Sequence, residues 1–190
     1  SLYNDAIFYY NESIKDGEDE ASKQSPLNNI AVIYIKKQKY DKAIQILESL
    51  LETKSIDEFP RSKARVIDNM GFAYSKKSQN KIGLQLLNEG LKLRIQCDDI
   101  YGSIGSYLHL AEFFSKTNIK KSNEYAKKAY ELATKLNSVD ERLKALSFLI
   151  SNDAGTTYGP KYIFINDSII KIRNNFKNKF AKIKYDSKKE

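Results

Sequence analysis

The 190-residue chain is long enough to bury a sizeable core without covalent staples, and its single cysteine, Cys97, excludes an intrachain disulfide while leaving the redox compartment open. A hydrophobic fraction of 41% with 12% aromatic residues is that of a globular chain, and no apolar run approaches the roughly 18 residues that a membrane-spanning helix needs. The formal charge of +8 suggests nucleic acid only until it is located: residues 171–190 carry eight lysines and arginines against Asp186 and Glu190, so the body before them is nearly balanced.

The chain opens Ser1-Leu2-Tyr3 and its only methionine is Met70, so it is expected to be a piece of a longer polypeptide from which no signal peptide can be judged. The first element, around "NDAIFYYNESI", reads as a helix over 3–16: the second helix of a truncated unit, capping whatever follows. Three helix pairs come next, at about 24–54, 61–97 and 101–136. Their apolar residues recur at three- and four-residue spacings, the helical period, and short polar turns such as Lys36-Lys37-Gln38-Lys39 separate the two helices of a pair.

The pairs repeat. Ala31 returns as Gly71 and Ala111, and Tyr34 as Tyr74 and Phe114, each 40 residues on. In the second helices Ala43 matches Gly83 and Leu47 matches Leu87; the third unit is one residue shorter, so Ser122, Ala126 and Ala129 take the small-residue places. Helices whose contact residues are bulky stand about 8–10 Å apart. Alanine or glycine at the same place in both helices of a pair therefore predicts close approach, Ala31 on Ala43 and Gly71 on Gly83, with the aromatic one turn later covering the gap. One such pair cannot bury both its faces, so the units must stack.

Beyond the third pair, 138–152 reads as a degenerate first helix with Leu143, Leu146 and Ile150 on one face, and "NDAGTTYGP" (Asn152 to Pro160) is expected to interrupt it. From Tyr162 an apolar stripe resumes through Ile165, Ile169, Ile172, Phe176, Phe180 and Ile183, predicting one long helix that carries the basic run on its other faces and reaches the end of the chain without a capping residue. The organisation expected is helical repeats over 1–152 and a long basic capping or connecting helix within 153–190.

The small–aromatic–small signature over about residues 27–134 resembles the tetratricopeptide repeat family, although a 40-residue period exceeds that family's usual ~34. The resemblance implies an all-α, right-handed superhelical solenoid of antiparallel helix pairs. The last 26 residues, with Asn166-Asp167-Ser168, Arg173-Asn174, Phe180-Ala181-Lys182-Ile183 and Tyr185-Asp186, are similar to the stretch that closes the repeat region of bacterial membrane-anchored regulators. In those proteins the repeats lie outside the inner membrane and a linker leads to a histidine kinase or a helix-turn-helix transcription regulator.

No enzyme can be assembled from the residues present. His109 has no second histidine or cysteine to share a metal and reads as a structural imidazole unless it faces a ligand. Cys97 lies beside Asp98 and Asp99, which disfavour a thiolate. "GSIGS" follows no strand and lacks the lysine of a phosphate cradle. No catalytic residue, metal or cofactor is expected. What remains is recognition: in such solenoids the first helices line the concave face, which places Asn28, Val32 and Ile35, then Arg65, Asp68, Asn69 and Phe72, then Leu108, His109 and Glu112 toward a protein or peptide ligand. The alternative is that these are merely exposed helix positions. The set lacks the Lys-Asn-Asn-Lys-Arg clamp of the chaperone-binding members, with Gly105 and His109 where the last two basic residues would stand.

Three functional readings follow: the periplasmic sensor of a membrane-anchored bacterial regulator, a cytoplasmic scaffold or peptide-pheromone receptor, and a nucleic-acid-binding repeat using the basic tail. The mixed charge of the groove argues against nucleic acid. Membrane attachment, on the first reading, comes only through a segment outside this stretch, and the stripe of the terminal helix suggests a homodimer.

Overall fold

The computed structural model describes residues 2–186, with side chains described for 2–152 and 157–179. Among the described residues there is no strand. Helix α1 (Leu2–Lys15) precedes the pairs α2 (Glu20–Lys36)/α3 (Tyr40–Leu51), α4 (Pro60–Lys76)/α5 (Asn80–Gln96) and α6 (Ile100–Phe114)/α7 (Ile119–Lys135), followed by α8 (Val139–Leu149) and α9 (Gly155–Asp186). Sequence neighbours pack antiparallel, and the first helices α2, α4, α6 and α8 lie side by side, so the molecule is the expected all-α solenoid of stacked helix pairs.

Local chemistry sets the boundaries. Asp19 caps α2 by accepting from the Ser22 amide at 2.8 Å, so that helix starts four residues before the boundary of 24 read from the repeat. Pro60 opens α4, where its missing N–H costs nothing. Four of the turns end in a left-handed residue that is not glycine: Gln38, Ser78, Asp98 and Asn137, with φ of 57°, 63°, 51° and 52°. Each closes the same pair of hydrogen bonds, for example Ser78 N to Ser75 O at 3.1 Å and Gln79 N to Tyr74 O at 3.0 Å, which satisfies the helix's last carbonyls. The α6–α7 turn has no such residue.

The small residues sit at the closest contacts of the pairs. A Cβ on Gly71 would lie 2.7 Å from the Leu87 backbone nitrogen, and one on Gly83 would lie 2.8 Å from Ser75 N and 3.0 Å from the Gly71 carbonyl. Ala31 and Ala43 are wholly buried in the core of the first pair, with Leu47, Leu50, Val66 and Met70 around them. In the third pair Ser122 donates to the Ala111 carbonyl at 2.8 Å, so helix approach there is secured by a hydrogen bond as well as by size.

The expected interruption at Asn152–Pro160 does not occur. The backbone passes from α8 through a π-type turn (Ile150–Ala154) directly into α9, and Pro160 lies inside that helix. Asn152 Nδ2 pins the wider turn to α7 by donating to Ser122 Oγ and Asn123 Oδ1, both at 2.9 Å. Along α9, Tyr158 packs against the core around Ala126 and Leu149, and Tyr162, Ile165 and Ile169 are half-buried. The same stripe then runs out into solvent, with Ile172 54% and Phe176 65% exposed; its expected continuation at Phe180 and Ile183 lies outside the residues whose side chains are described.

Candidate functional site

The first helices enclose a concave pocket of about 780 Å³ between α4, α6 and α8, roomy by the standard of ligand sites at ~300–1,000 Å³. Phe72, Tyr101, Leu108 and Phe148 make part of its lining apolar. A basic stretch of wall comes from Arg61 and Arg65 on α4, the helix that also carries Phe72, and from Arg94 at the end of α5. Gly105 leaves it open, since a Cβ there would meet nothing within 4 Å.

The base of the basic wall is a buried ionic cluster. Asp68, 1% exposed, accepts from His109 Nδ1 at 2.9 Å on the same oxygen that faces Arg94 Nη2 at 3.5 Å. Because a carboxylate can only accept, the His109 tautomer with the proton on Nδ1 is the one that fits. Arg94 also reaches Asp99, at 3.5 Å, which in turn caps α6 through the Gly102 amide at 2.9 Å. Burial alone would push the Asp68 carboxyl up, but the adjacent His109 ring and Arg94 guanidinium together hold it below its ordinary value. By distance and angle neither Asp68 Oδ1 nor the Ser106 hydroxyl completes a hydrogen bond among the described residues, yet Ser106 lies near enough to help hold the Asp68 carboxyl down.

Glycines bring these charges together. A Cβ on Gly90 would sit 2.9 Å from the Asp68 backbone, so α5 can lie against α4 there, and one turn later Arg94 emerges beneath the pocket. A Cβ on Gly102 would sit 1.9 Å from Arg94 Nη1, so only glycine lets the guanidinium cross the start of α6. The His109 ring stacks on Phe72, with centroids 4.1 Å apart and planes 11° from parallel, and Lys76 pairs with Glu112 at the rim.

The ten positions expected on the concave face divide. Arg65, Phe72, Leu108, His109 and Glu112 do line the pocket. Asn28 and Asn69 instead bond to each other, Asn69 Nδ2 donating to Asn28 Oδ1 at 2.9 Å inside the α2–α4 seam. Asp68 lies under the surface as described. Ile35 belongs to the core of the first pair, and Val32 is half-buried and away from the pocket. The reason is rotational: adjacent first helices bring residues 41 apart into contact, Asn28 with Asn69 and Asp68 with His109, so positions beside the small residue face the next unit. Arg61, Arg94, Asp99, Tyr101, Glu141, Lys144 and Phe148 also line the pocket and were not anticipated. Arg94 had a signal: it continues the stripe of Leu84, Leu87 and Leu91 along α5, where a charge must find partners.

Among the described residues there is no group of three histidine, cysteine, aspartate or glutamate side chains that could hold a metal ion, and no helix long and apolar enough to cross a membrane.

No protein-family model matches the chain. Photosystem I assembly protein Ycf3 from Prochlorococcus marinus subsp. pastoris is 29% identical over 77 residues, which are 40% of this chain and 41% of that protein. The chain thus spans about two fifths of the length of that curated relative. Among solved structures, BtubC (BKLC) from P. vanneervenii matches with a TM-score of 0.62 at 15% identity, covering 93% of this chain and 72% of the other, a likeness of fold. Repeat spacing, glycine contacts and this likeness agree on a tetratricopeptide-like helical repeat.

Proposed function

We propose that this chain is a non-catalytic protein-interaction module that holds a peptide segment of its partner in the concave pocket. The observation that carries the reading is the open cavity across α4, α6 and α8, apolar over part of its lining and charged over the rest, the combination that fixes a peptide's side chains and its orientation. The partial match to a protein named for assembling a photosystem supports protein partners. Gly105 offers the test. A Cβ there meets no protein atom within 4 Å, so Gly105→Trp, which projects an indole into the cavity, should keep the melting temperature while sharply reducing capture of partners by the full-length protein; capture undiminished by the obstructed pocket overturns the reading.

We further propose that the parent protein is a bacterial membrane-anchored regulator with this region on the periplasmic side, α9 linking it to the output module. The supporting observations are the similarity of the last 26 residues to such proteins and the emergence of the Ile172 and Phe176 stripe from the body of the fold, where a twin helix or a following coil could cover it. Fusing alkaline phosphatase after Glu190 in the full-length protein reports the compartment: activity supports the periplasmic placement, and an inactive fusion whose fluorescent-protein counterpart is bright assigns the region to the cytoplasm. Ile172→Asp should reduce dimerisation measured by sedimentation, and an unchanged mass removes the stripe from the mechanism.

A further inference from the structure

The charges of the pocket are not balanced. Asp68 and Asp99 both serve Arg94, and Glu112 serves Lys76. Arg61 and Arg65 have no carboxylate within ion-pairing distance among the described residues, and the one hydrogen bond of the Arg65 side chain is to Ser25 Oγ at a long 3.4 Å. These two arginines are four residues apart on α4, one turn above the other on the same face, where like charges repel. Burial and the nearby Arg94 guanidinium push the Arg65 pKa down against the opposing pull of Asp99, and its Nε and that of Arg94 are buried without partners among the described residues. Arg94 itself has a side chain only 8% exposed, yet it still forms part of the wall. Arg65, half-buried beside Arg94 and one turn from Arg61, carries its charge at a cost, and an anion bound at its fork would relieve it.

We infer that the Arg61–Arg65 stretch of wall, with Arg94 beneath it, receives a carboxylate of the bound peptide, and that Phe72, Leu108 and Phe148, which line the same cavity, take an apolar side chain beside it. The inference rests on the peptide-binding reading above and adds the chemistry of the partner: an acidic residue flanked by an apolar one. The planar guanidinium fork suits a carboxylate held by two hydrogen bonds, and the carboxylates already in the pocket at Asp99, Glu112 and Glu141 leave a small positive excess that suits a ligand of low charge.

The test is selection of random phage-displayed dodecapeptides on the wild-type protein and on Arg61→Gln/Arg65→Gln. The double variant removes a repulsion and no ion pair, so its melting temperature should equal or exceed that of the wild type, which separates binding from folding. The wild-type pool should be enriched at least threefold in aspartate and glutamate, with leucine or phenylalanine alongside, and the double variant's pool should lose the acidic enrichment. A synthetic winner should bind at least tenfold more weakly when its acidic residue becomes the amide, and more weakly as salt rises. Selected peptides without acidic residues, or an enrichment that survives in the double variant, overturn the inference while leaving peptide binding standing. Failure to select any peptide overturns both. Displacement of the winner by millimolar inorganic phosphate, with tighter binding of its phosphoserine analogue, reassigns the wall to phosphate and also overturns the carboxylate.

Discussion

At the seam between α2 and α4, Asn69 donates to Asn28 in a shell of aliphatic side chains; at the seam between α4 and α6, one repeat further, the same spacing brings Asp68 against His109 and adds Arg94. The first pair is neutral, its bond is 2.9 Å long, and neither asparagine lines the pocket. The second is ionic, needs two basic partners and an N-capping aspartate to be tolerated, and lies under the pocket. One geometric position therefore serves as a plain joint in one seam and as the foundation of a binding wall in the next. The difference arises in residues outside the repeat signature: Gly90 and Gly102 admit Arg94, whereas the first unit has Leu50 and Ser62 at those places and its basic residue, Lys54, is exposed.

That contrast predicts unequal costs for equivalent substitutions. Asp68→Leu leaves Arg94 buried without its main partner and should cost roughly 3–5 kcal/mol, the range for breaking a buried ion pair. Chemical denaturation should show this as a lower midpoint without a lower slope. Asn28→Ala at the matching position leaves one buried amide unsatisfied and should cost about 1–3 kcal/mol. Equal losses at the two positions would show that the seams are energetically alike and that the ionic cluster has no special weight.

Acid should sharpen the distinction. Asp68 titrates below its ordinary 3.8 in the folded protein, so its contribution is complete above about pH 4–5 and is lost as pH falls through the lower folded value. Melting temperature should therefore fall below about pH 4, and the fall should be shallower in Asp68→Asn. The neutral Asn28–Asn69 seam adds no such dependence, so Asn28→Ala should shift the whole curve down without changing its shape.

How far this was visible in the sequence depends on whether an element is defined by periodicity or by rotation. The helix pairs and their small contact residues were legible because Ala31, Gly71 and Ala111 recur at fixed spacing and close approach demands small side chains. Half of the expected groove residues were misplaced because the sequence does not state how far one helix is turned relative to its neighbour; that rotation decides whether Asn28 faces solvent or Asn69. The continuous passage from α8 to α9 was hidden for another reason. Gly155, Gly159 and Pro160 read locally as a break, and the contacts that hold the turn, Ser122 and Asn123, come from 30 residues earlier in the chain.

The smallest expected effect lies in the turns that both seams share. Ser78 holds φ at 63°, a conformation in which a Cβ costs about 1–2 kcal/mol and glycine costs nothing. Ser78→Gly should therefore stabilise the protein by about 0.5–1 kcal/mol, or ~2–4 °C in melting temperature, after allowance for the greater freedom of glycine in the unfolded chain. Asn137 at φ 52° should gain less from the same change, because asparagine tolerates this region better. The α6–α7 turn supplies the control: Ser115 caps α6 in ordinary right-handed geometry at φ −56°, so Ser115→Gly should destabilise by a similar amount. Opposite signs at Ser78 and Ser115 follow only if the left-handed cap belongs to the α4–α5 turn and is missing from the α6–α7 turn, and thermal melts of the two variants side by side read that sign directly.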